Sequence, residues 1–288
     1  MAIDFRIRPP YGEGRGLNIF AKEWMYLSND LLSETDFGIG RRRIPSAING
    51  DMDLFMREMD EAGIDVGVLM GRKTNDPKYG NISNKEIYEL CDKYPGRFIP
   101  FAGINPDDAD WRDQLKEGMD HGIKGIGLDP GWYANFCYCD APKMMPIYEE
   151  AAKQGLIVSV TQSIYMGPDV TYSHPAAIQR VARTFPELKI VVPHACFPHI
   201  PEMLGVALVC HNIYLMPDCY FYTPHMPFAN EIAEAANGWL KGRLLFASTY
   251  PVCGLKQAIE GWSKRPLSED ALLNSLHYNA ARLLGIKL

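Results

Sequence analysis

The sequence predicts an α/β chain folded as a (β/α)8 TIM barrel, and three observations predict it. Short apolar runs alternate with segments of helical periodicity. About eight such pairs fit into 288 residues, the size of one (β/α)8 barrel. The first strand ends in Arg-Pro-Pro, not in the glycine-rich phosphate turn that opens a doubly wound sheet. Strands that alternate with helices need crossover connections and therefore form a parallel sheet. Runs of four to six apolar residues suit strands covered on both faces.

The elements follow in order. IDFRIRPP (3–10) alternates Ile3, Phe5 and Ile7 with Asp4, Arg6 and Arg8, the period of a strand with one polar face. Two prolines end it, because proline donates nothing to a ladder. In GDMDLFMREMDEAG (50–63), Leu54, Phe55, Met59 and Ala62 fall at helical spacing and Gly63 supplies the C-terminal stop. DVGVLMG (65–71) is the second strand. NKEIYELCDKYPG is the next helix, and RFIPFAGI (97–104) the third strand. DADWRDQLKEGMDH precedes GIKGIGLD (122–129), and PKMMPIYEEAAKQ precedes GLIVSVTQ (155–162). PAAIQRVARTFPE leads to LKIVVPHA (188–195), and PEMLGVALVCH to NIYLMPDCYF (212–221). FANEIAEAANGWLK leads to RLLFAST (243–249), and SEDALLNSLHYNAARLLG closes the chain as a helix. No internal repeat or low-complexity stretch interrupts this order. One domain over 1–288 is expected, with an insertion at about 11–46 that is long for a βα connection. It carries Trp24, Tyr26 and the run Arg41, Arg42, Arg43, and reads as a lid, a dimer contact or a solvated face.

Composition narrows the function. A formal charge of −6 gives no basic face for nucleic acid. No basic run followed by an apolar core marks a signal peptide, and no apolar stretch approaches the roughly 18 residues of a membrane span. Seven cysteines lack regular spacing, and Cys137 and Cys139 are too close for a C-x2-C metal knuckle. A cytoplasmic protein with reduced thiols is expected.

Barrel active sites lie at the carboxyl ends of the strands. Those ends carry Arg6 and Arg8, Arg72 and Lys73, Asn105, Asp129, Gln162, His194, Asp218 with Tyr220 and Tyr222, and Ser248 with Thr249. Buried guanidinium groups are costly unless an anion meets them. That anion is either a carboxylate of the chain (Asp4, Asp129 or Asp218) or a ligand. His194 is equally a hydrogen-bonded core histidine or a base, since imidazole titrates near neutrality. Cys196 reads as a buried thiol or, less simply, a nucleophile. Trp132, Tyr133, Phe136 and Tyr138 after the fourth strand, and Tyr220, Phe221 and Tyr222 after the seventh, build either an aromatic ligand wall or a packed interface.

The motifs MDEAGIDVGVLM, YPGRFIPFAGINP, GIKGIGLDP, MPIYEEAAKQGLIVSV, FPELKIVVPHACFPHIPE, LLFASTYP and NAARLLGI resemble, in this order, the amidohydrolase-related group of the amidohydrolase superfamily, the branch of aminocarboxymuconate-semialdehyde decarboxylase. The resemblance implies a barrel enzyme, a hydrolase or carboxy-lyase, commonly a homodimer. It also implies a metal site, and there the sequence departs. The usual His-x-His of strand one falls on Arg6 and Arg8, the strand-five histidine on Gln162, and the strand-eight aspartate on Thr249. Only the strand-six histidine remains, as His194. Arginine cannot ligate a cation, and glutamine and threonine are weak ligands. The expectation is an enzyme without metal or other cofactor, acting on a small carboxylate by lactone or amide hydrolysis or by decarboxylation. Arg6, Arg8, Arg72, Gln162, Trp132, Tyr220, Tyr222 and Thr249 would bind it, with His194 and Asp129 as catalytic groups. The alternatives are a non-catalytic binding protein on a disabled scaffold, and a hydrolase whose metal has moved to ligands among His174, His194, His199, Asp218 and His225.

Overall fold

The first strand, β1 (Ala2–Ile7), is buried along its whole length, and Asp4, Arg6 and Arg8 are as hidden as the apolar residues between them. The computed structural model describes residues 2–17, 20 and 44–287. Trp24, Tyr26 and Arg41–Arg43 of the expected insertion lie outside the described residues.

The chain divides into two compact units, Met1–Leu69 with Tyr94–Phe98 and Asp218–Leu288, and Met70–Lys93 with Ile99–Pro217. After α1 (Pro45–Asn49), the helix α2 (Met52–Glu61) starts where the Asp51 carboxylate accepts the Leu54 amide at 2.9 Å. It buries Phe55 and Met59, and its chain turns into β2 (Ile64–Met70) through Gly63 at φ +69. β1 runs parallel to β2. In the second unit β3 (Phe98–Gly103), β4 (Gly125–Leu128), β5 (Ile157–Val160), β6 (Ile190–Pro193) and β7 (Ile213–Met216) form successive parallel ladders. Strand order is chain order from β1 to β7, the topology of right-handed βαβ units.

The crossover helices are α3 (Asn84–Lys93), α4 (Trp111–Asp120), α5 (Met145–Lys153), α6 (Pro175–Thr184) and α7 (Ile200–Val209). Each begins or ends within a few residues of the expected position. After β7 come a short turn of helix, α8 (Cys219–Tyr222), then α9 (Ala229–Asn237), α10 (Leu255–Ser263), α11 (Glu269–Leu273) and α12 (Asn279–Leu284). A π-turn at Asn274–Tyr278 splits the expected closing helix.

Two expected strands are corrected. The seventh stops at Met216, because Pro217 cannot donate and Asp218 takes φ 46, which breaks the extended chain. Tyr220 and Tyr222 therefore sit on helix α8. The eighth, 243–249, follows β1 without becoming a regular strand. Phe5 N donates to Phe246 O at 3.0 Å and Arg8 N to Tyr250 O at 3.3 Å, with a parallel bridge from Ile7 to Tyr250. Between them the Asp4 Oδ1 accepts the Ser248 amide at 3.0 Å and the Arg6 amide at 3.1 Å. A side chain thus replaces the ladder carbonyls at this point.

Close backbone approach in the second unit requires glycine. Gly71 N donates to Phe101 O at 2.9 Å, and a Cβ on Gly103 would stand 2.6 Å from Arg72 N and 2.8 Å from its carbonyl carbon. Glycine at both positions brings Arg72 to the end of β2.

Candidate functional site

In the first unit the polar face of β1 carries Asp4, Arg6 and Arg8, two residues apart and so on one side of the strand. Arg6 Nη1 donates to Asp218 Oδ2 at 3.3 Å, and both groups are almost fully buried. Of the chain carboxylates expected to meet the arginines, Asp218 is the one that pairs with Arg6. Asp4 instead binds the two backbone amides through Oδ1, and its buried Oδ2 has no hydrogen-bond partner among the described residues. Burial pushes the Asp4 carboxyl up to about 7. Hydrogen bonds from Ser248 and the Arg6 amide oppose the rise, and the Asp218 charge adds to it. Cys219 follows Asp218, its thiol 3.5 Å from Asp218 Oδ1 and raised well above the ordinary thiol value by burial. The Tyr222 hydroxyl donates to Ser248 O at 2.5 Å, and burial raises it too, so this hydroxyl holds the eighth segment in place. Thr249 Oγ1 is buried and unpartnered among the described residues.

In the second unit a cation sits between an acid and a ring system. Arg72 lies 3.6 Å from Asp129 Oδ2 and places its guanidinium carbon 4.5 Å from the Trp132 ring centre. Tyr79 stacks on Trp132 with ring centres 5.6 Å apart, and its carbonyl accepts from Arg72 Nη1 at 3.4 Å. The Trp132 indole is fixed by Tyr165 O at 2.9 Å. Sequence reasoning proposed Arg72, Asp129 and Trp132 separately, and the structure joins them. It missed Tyr79, which reaches the group through a two-residue hairpin, Arg72–Lys73 with Asn81–Ile82, too short to show a period. Gln162 gives its amide nitrogen to Thr161 O at 3.0 Å, and its buried Oε1 has no partner among the described residues. Native proteins seldom leave such buried atoms without a partner.

His194 ends β6 on a turn in which three consecutive residues without glycine's freedom are left-handed: His194 (φ 63), Ala195 (φ 46) and Cys196 (φ 60). Asp218 (φ 46) and Thr249 (φ 58) share the feature. Each such residue costs of order 1–3 kcal/mol, and such strain gathers at functional sites. Here it falls at the carboxyl ends of three successive strand positions. Burial raises the Cys196 thiol well above its ordinary value, and its Sγ lies 3.3 Å from Met203 Sδ. A nucleophilic cysteine needs the opposite shift, so Cys196 packs.

Of the positions that the resemblance assigns to a metal, only His194 has an imidazole nitrogen to offer. Arg6 and Arg8 have no lone pair for a cation, and Gln162 and Thr249 have weak neutral oxygens. These four positions by themselves do not make up a divalent-ion site. Among the other histidines, His174 Nδ1 accepts the Ala176 amide at 3.2 Å and so caps α6, and His199 Nε2 meets Val170 O at 3.2 Å.

The comparisons with known proteins agree with this architecture. No match was found among curated protein sequences. An uncharacterised TIM-barrel protein from Bordetella bronchiseptica is 32% identical, with 99% of this chain and 98% of that one covered and a TM-score of 0.90. The 2,6-dihydroxybenzoate decarboxylase from Rhizobium is 16% identical, covers 99% and 98%, and has a TM-score of 0.69. A probable 2-pyrone-4,6-dicarboxylic acid hydrolase from Acinetobacter baumannii, with citric acid bound, is 14% identical, covers 99% of both chains and has a TM-score of 0.68. The family model described as amidohydrolase matches residues 50–286, most of the chain. Strand order, matched length and structural likeness together show that the chain is a (β/α)8 barrel and belongs to the amidohydrolase family.

Proposed function

We propose that this amidohydrolase-family enzyme works without a metal, on a small substrate that carries a carboxylate. The observation that carries the reading is the pair of buried guanidinium groups, Arg6 and Arg8, at the carboxyl end of β1, where the family holds its cation. A guanidinium offers a fixed fork of donors to a carboxylate or a developing oxyanion. The similar structures named for decarboxylation of dihydroxybenzoate and hydrolysis of a pyrone dicarboxylate support a carboxylate substrate. Arg72 against Trp132 adds a cation beside an aromatic face, a combination suited to an unsaturated or ring-bearing acid.

Hydrolysis suits these groups better than decarboxylation. Decarboxylation turns a carboxylate into neutral carbon dioxide, so arginines that grip the reacting carboxylate favour the ground state. In lactone or amide hydrolysis, negative charge grows on the carbonyl oxygen, and a fixed guanidinium stabilises it more as the reaction proceeds. His194 takes the proton of the attacking water, and the tetrahedral intermediate then expels the alkoxide or amine, which receives that proton. Asp129, tied to Arg72, acts by holding that cation in place. The reading also takes the enzyme to be a homodimer, on the resemblance, and cytoplasmic, on its irregularly spaced cysteines.

A binding protein on the same scaffold is the second reading, favoured by the Arg6–Asp218 pair, which occupies part of the cationic end. The test is elemental analysis of the purified protein with a chelator, followed by thermal shifts and turnover across small carboxylates, lactones and amides. Less than about 0.1 metal per chain, stabilisation by carboxylates that Arg8→Gln removes, and hydrolysis lost in His194→Gln are expected. Near-stoichiometric metal whose removal abolishes ligand binding refutes the reading. Binding without turnover selects the second one.

A further inference from the structure

In the first unit a cavity of about 840 Å³ opens between α2 and α10, within the size range of small-molecule sites. Leu54, Glu58 and Glu61 line it from α2 at helical spacing. Lys256, Glu260 and Lys264, four residues apart in turn, line it from α10 and just beyond, followed by Arg265. Gly261 lets α10 lie against α8, since a Cβ there would stand 2.9 Å from Tyr222 O. None of Asp4, Arg6, Arg8 and Asp218 lines this cavity, so it is not the proposed carboxylate site at β1.

The charges that line it are not satisfied alike. Glu58 is spent inside the fold, where its carboxylate accepts the Ser46 amide at 3.0 Å and the Ser46 hydroxyl at 2.5 Å. Arg265 is half-buried, with its guanidinium carbon 5.9 Å from the Phe221 ring centre. Its Nη2 donates to Thr223 O just past α8, which takes one of the five N–H donors of the group. Its buried Nε has no hydrogen-bond partner, and Arg265 forms no ion pair among the described residues. Burial lowers the guanidinium from its ordinary value, as happens to a cation that loses water without gaining an anion. We propose that this cavity is a second ligand site, for a small organic acid with one carboxylate docked on Arg265 and an aliphatic body. Lys264 adds positive charge beside the carboxylate, and Ile44, Pro45, Leu54 and Leu255 supply an apolar wall for the body. Glu61 and Glu260, both exposed, repel any further negative charge and so select a monoanion over a polyanion.

Hexanoate is the probe, a single carboxylate on an unbranched aliphatic chain. It is titrated by calorimetry into the full chain carrying Arg8→Gln, which weakens the β1 site so that the heat reports the cavity. Saturable binding is expected. Adding Arg265→Gln should raise Kd at least about tenfold, the loss of hydrogen bonds to a charged group. Gln257→Trp fills the cavity from α10, leaves Arg265 in place and should do the same. Citrate, with more negative charge, and hexylammonium, with the same chain on a cation, should both bind more weakly than hexanoate.

Hexanoate that binds wild type but not Arg8→Gln, and that Arg265→Gln alone leaves bound, sits at β1. That result supports the first site and overturns the second. Failure to bind any of these proteins overturns the second site as well. Equal affinity for hexanoate and hexylammonium means adsorption on the apolar wall with no part for Arg265, and also overturns it. Arg265→Gln removes the donor to Thr223 O, so should that variant not fold, Gln257→Trp decides by itself. Unchanged hexanoate affinity there overturns the proposal.

Discussion

Replacing Asp4 by asparagine should change how stability depends on pH, in a direction opposite to that of most aspartates. The Asp4 carboxyl is raised from 3.8 to about 7 in the fold, first by burial. Between these values the folded protein holds a proton that the unfolded chain releases. This proton stabilises the fold fully below about 3.8, and the contribution is lost as pH rises through 7. From pH 5 to 7 the gap spans two units at about 1.4 kcal/mol each, so about 3 kcal/mol present at pH 5 is gone by pH 8. Asparagine imitates the neutral acid at every pH and keeps an oxygen for the Ser248 and Arg6 amides. Urea unfolding of both proteins at pH 5, 6, 7 and 8 supplies the assay, and subtracting one series from the other cancels all other titrating groups. Wild type minus variant should fall by about 3 kcal/mol across the range. A flat difference would mean that Asp4 is ionised in the fold across this whole range, at or below its unfolded value, and that burial does not hold its proton.

Two further substitutions address the second unit. Gly103→Ala puts a methyl 2.6 Å from the Arg72 amide nitrogen, against backbone that cannot turn away. It should cost about 1–3 kcal/mol in urea unfolding, and it should weaken carboxylate binding by displacing Arg72. Arg72→Lys keeps the charge but loses the flat face over Trp132 and the fork toward Asp129 and Tyr79. Affinity for an aromatic carboxylate should drop about tenfold, while affinity for a non-aromatic one such as acetate should fall less, both measured by titration calorimetry. Equal losses for the two ligands would take Trp132 out of the site.

Much of this was legible in the sequence, and the reason is periodicity. Ile3, Phe5 and Ile7 against Asp4, Arg6 and Arg8 could only be a strand with one charged face, and all six are buried as that pattern requires. The helices were legible from Phe55 and Met59 and their equivalents at i, i+4. What failed was local backbone chemistry. The apolar run through Tyr220 and Phe221 hid a strand end at Pro217, because hydrophobicity does not register a residue such as Asp218 at φ 46. The eighth strand looked regular because nothing in RLLFAST says that an aspartate 244 residues earlier takes the Ser248 amide. The left-handed turn His194–Cys196 contains no glycine, so the usual signal for such backbone was missing. The pairing of Arg72 and Tyr79 with Trp132 joins the hairpin after β2 to the turn after β4, and only the fold brings the two together.

On the proposed reading arginines stand where the family holds a metal, and that changes what this barrel must supply from its own side chains. A divalent ion both holds an anion and acidifies a bound water. Guanidinium groups hold the anion but have no coordinated water to deprotonate, so every proton has to be kept on a side chain. Asp4 is bound into the fold differently from the arginines beside it: its Oδ1 accepts two backbone amides, and burial raises its carboxyl to about 7. On the proposed reading, Arg6 and Arg8 take over the charge of the cation, and the proton that a metal-bound water would have lost must instead pass to His194.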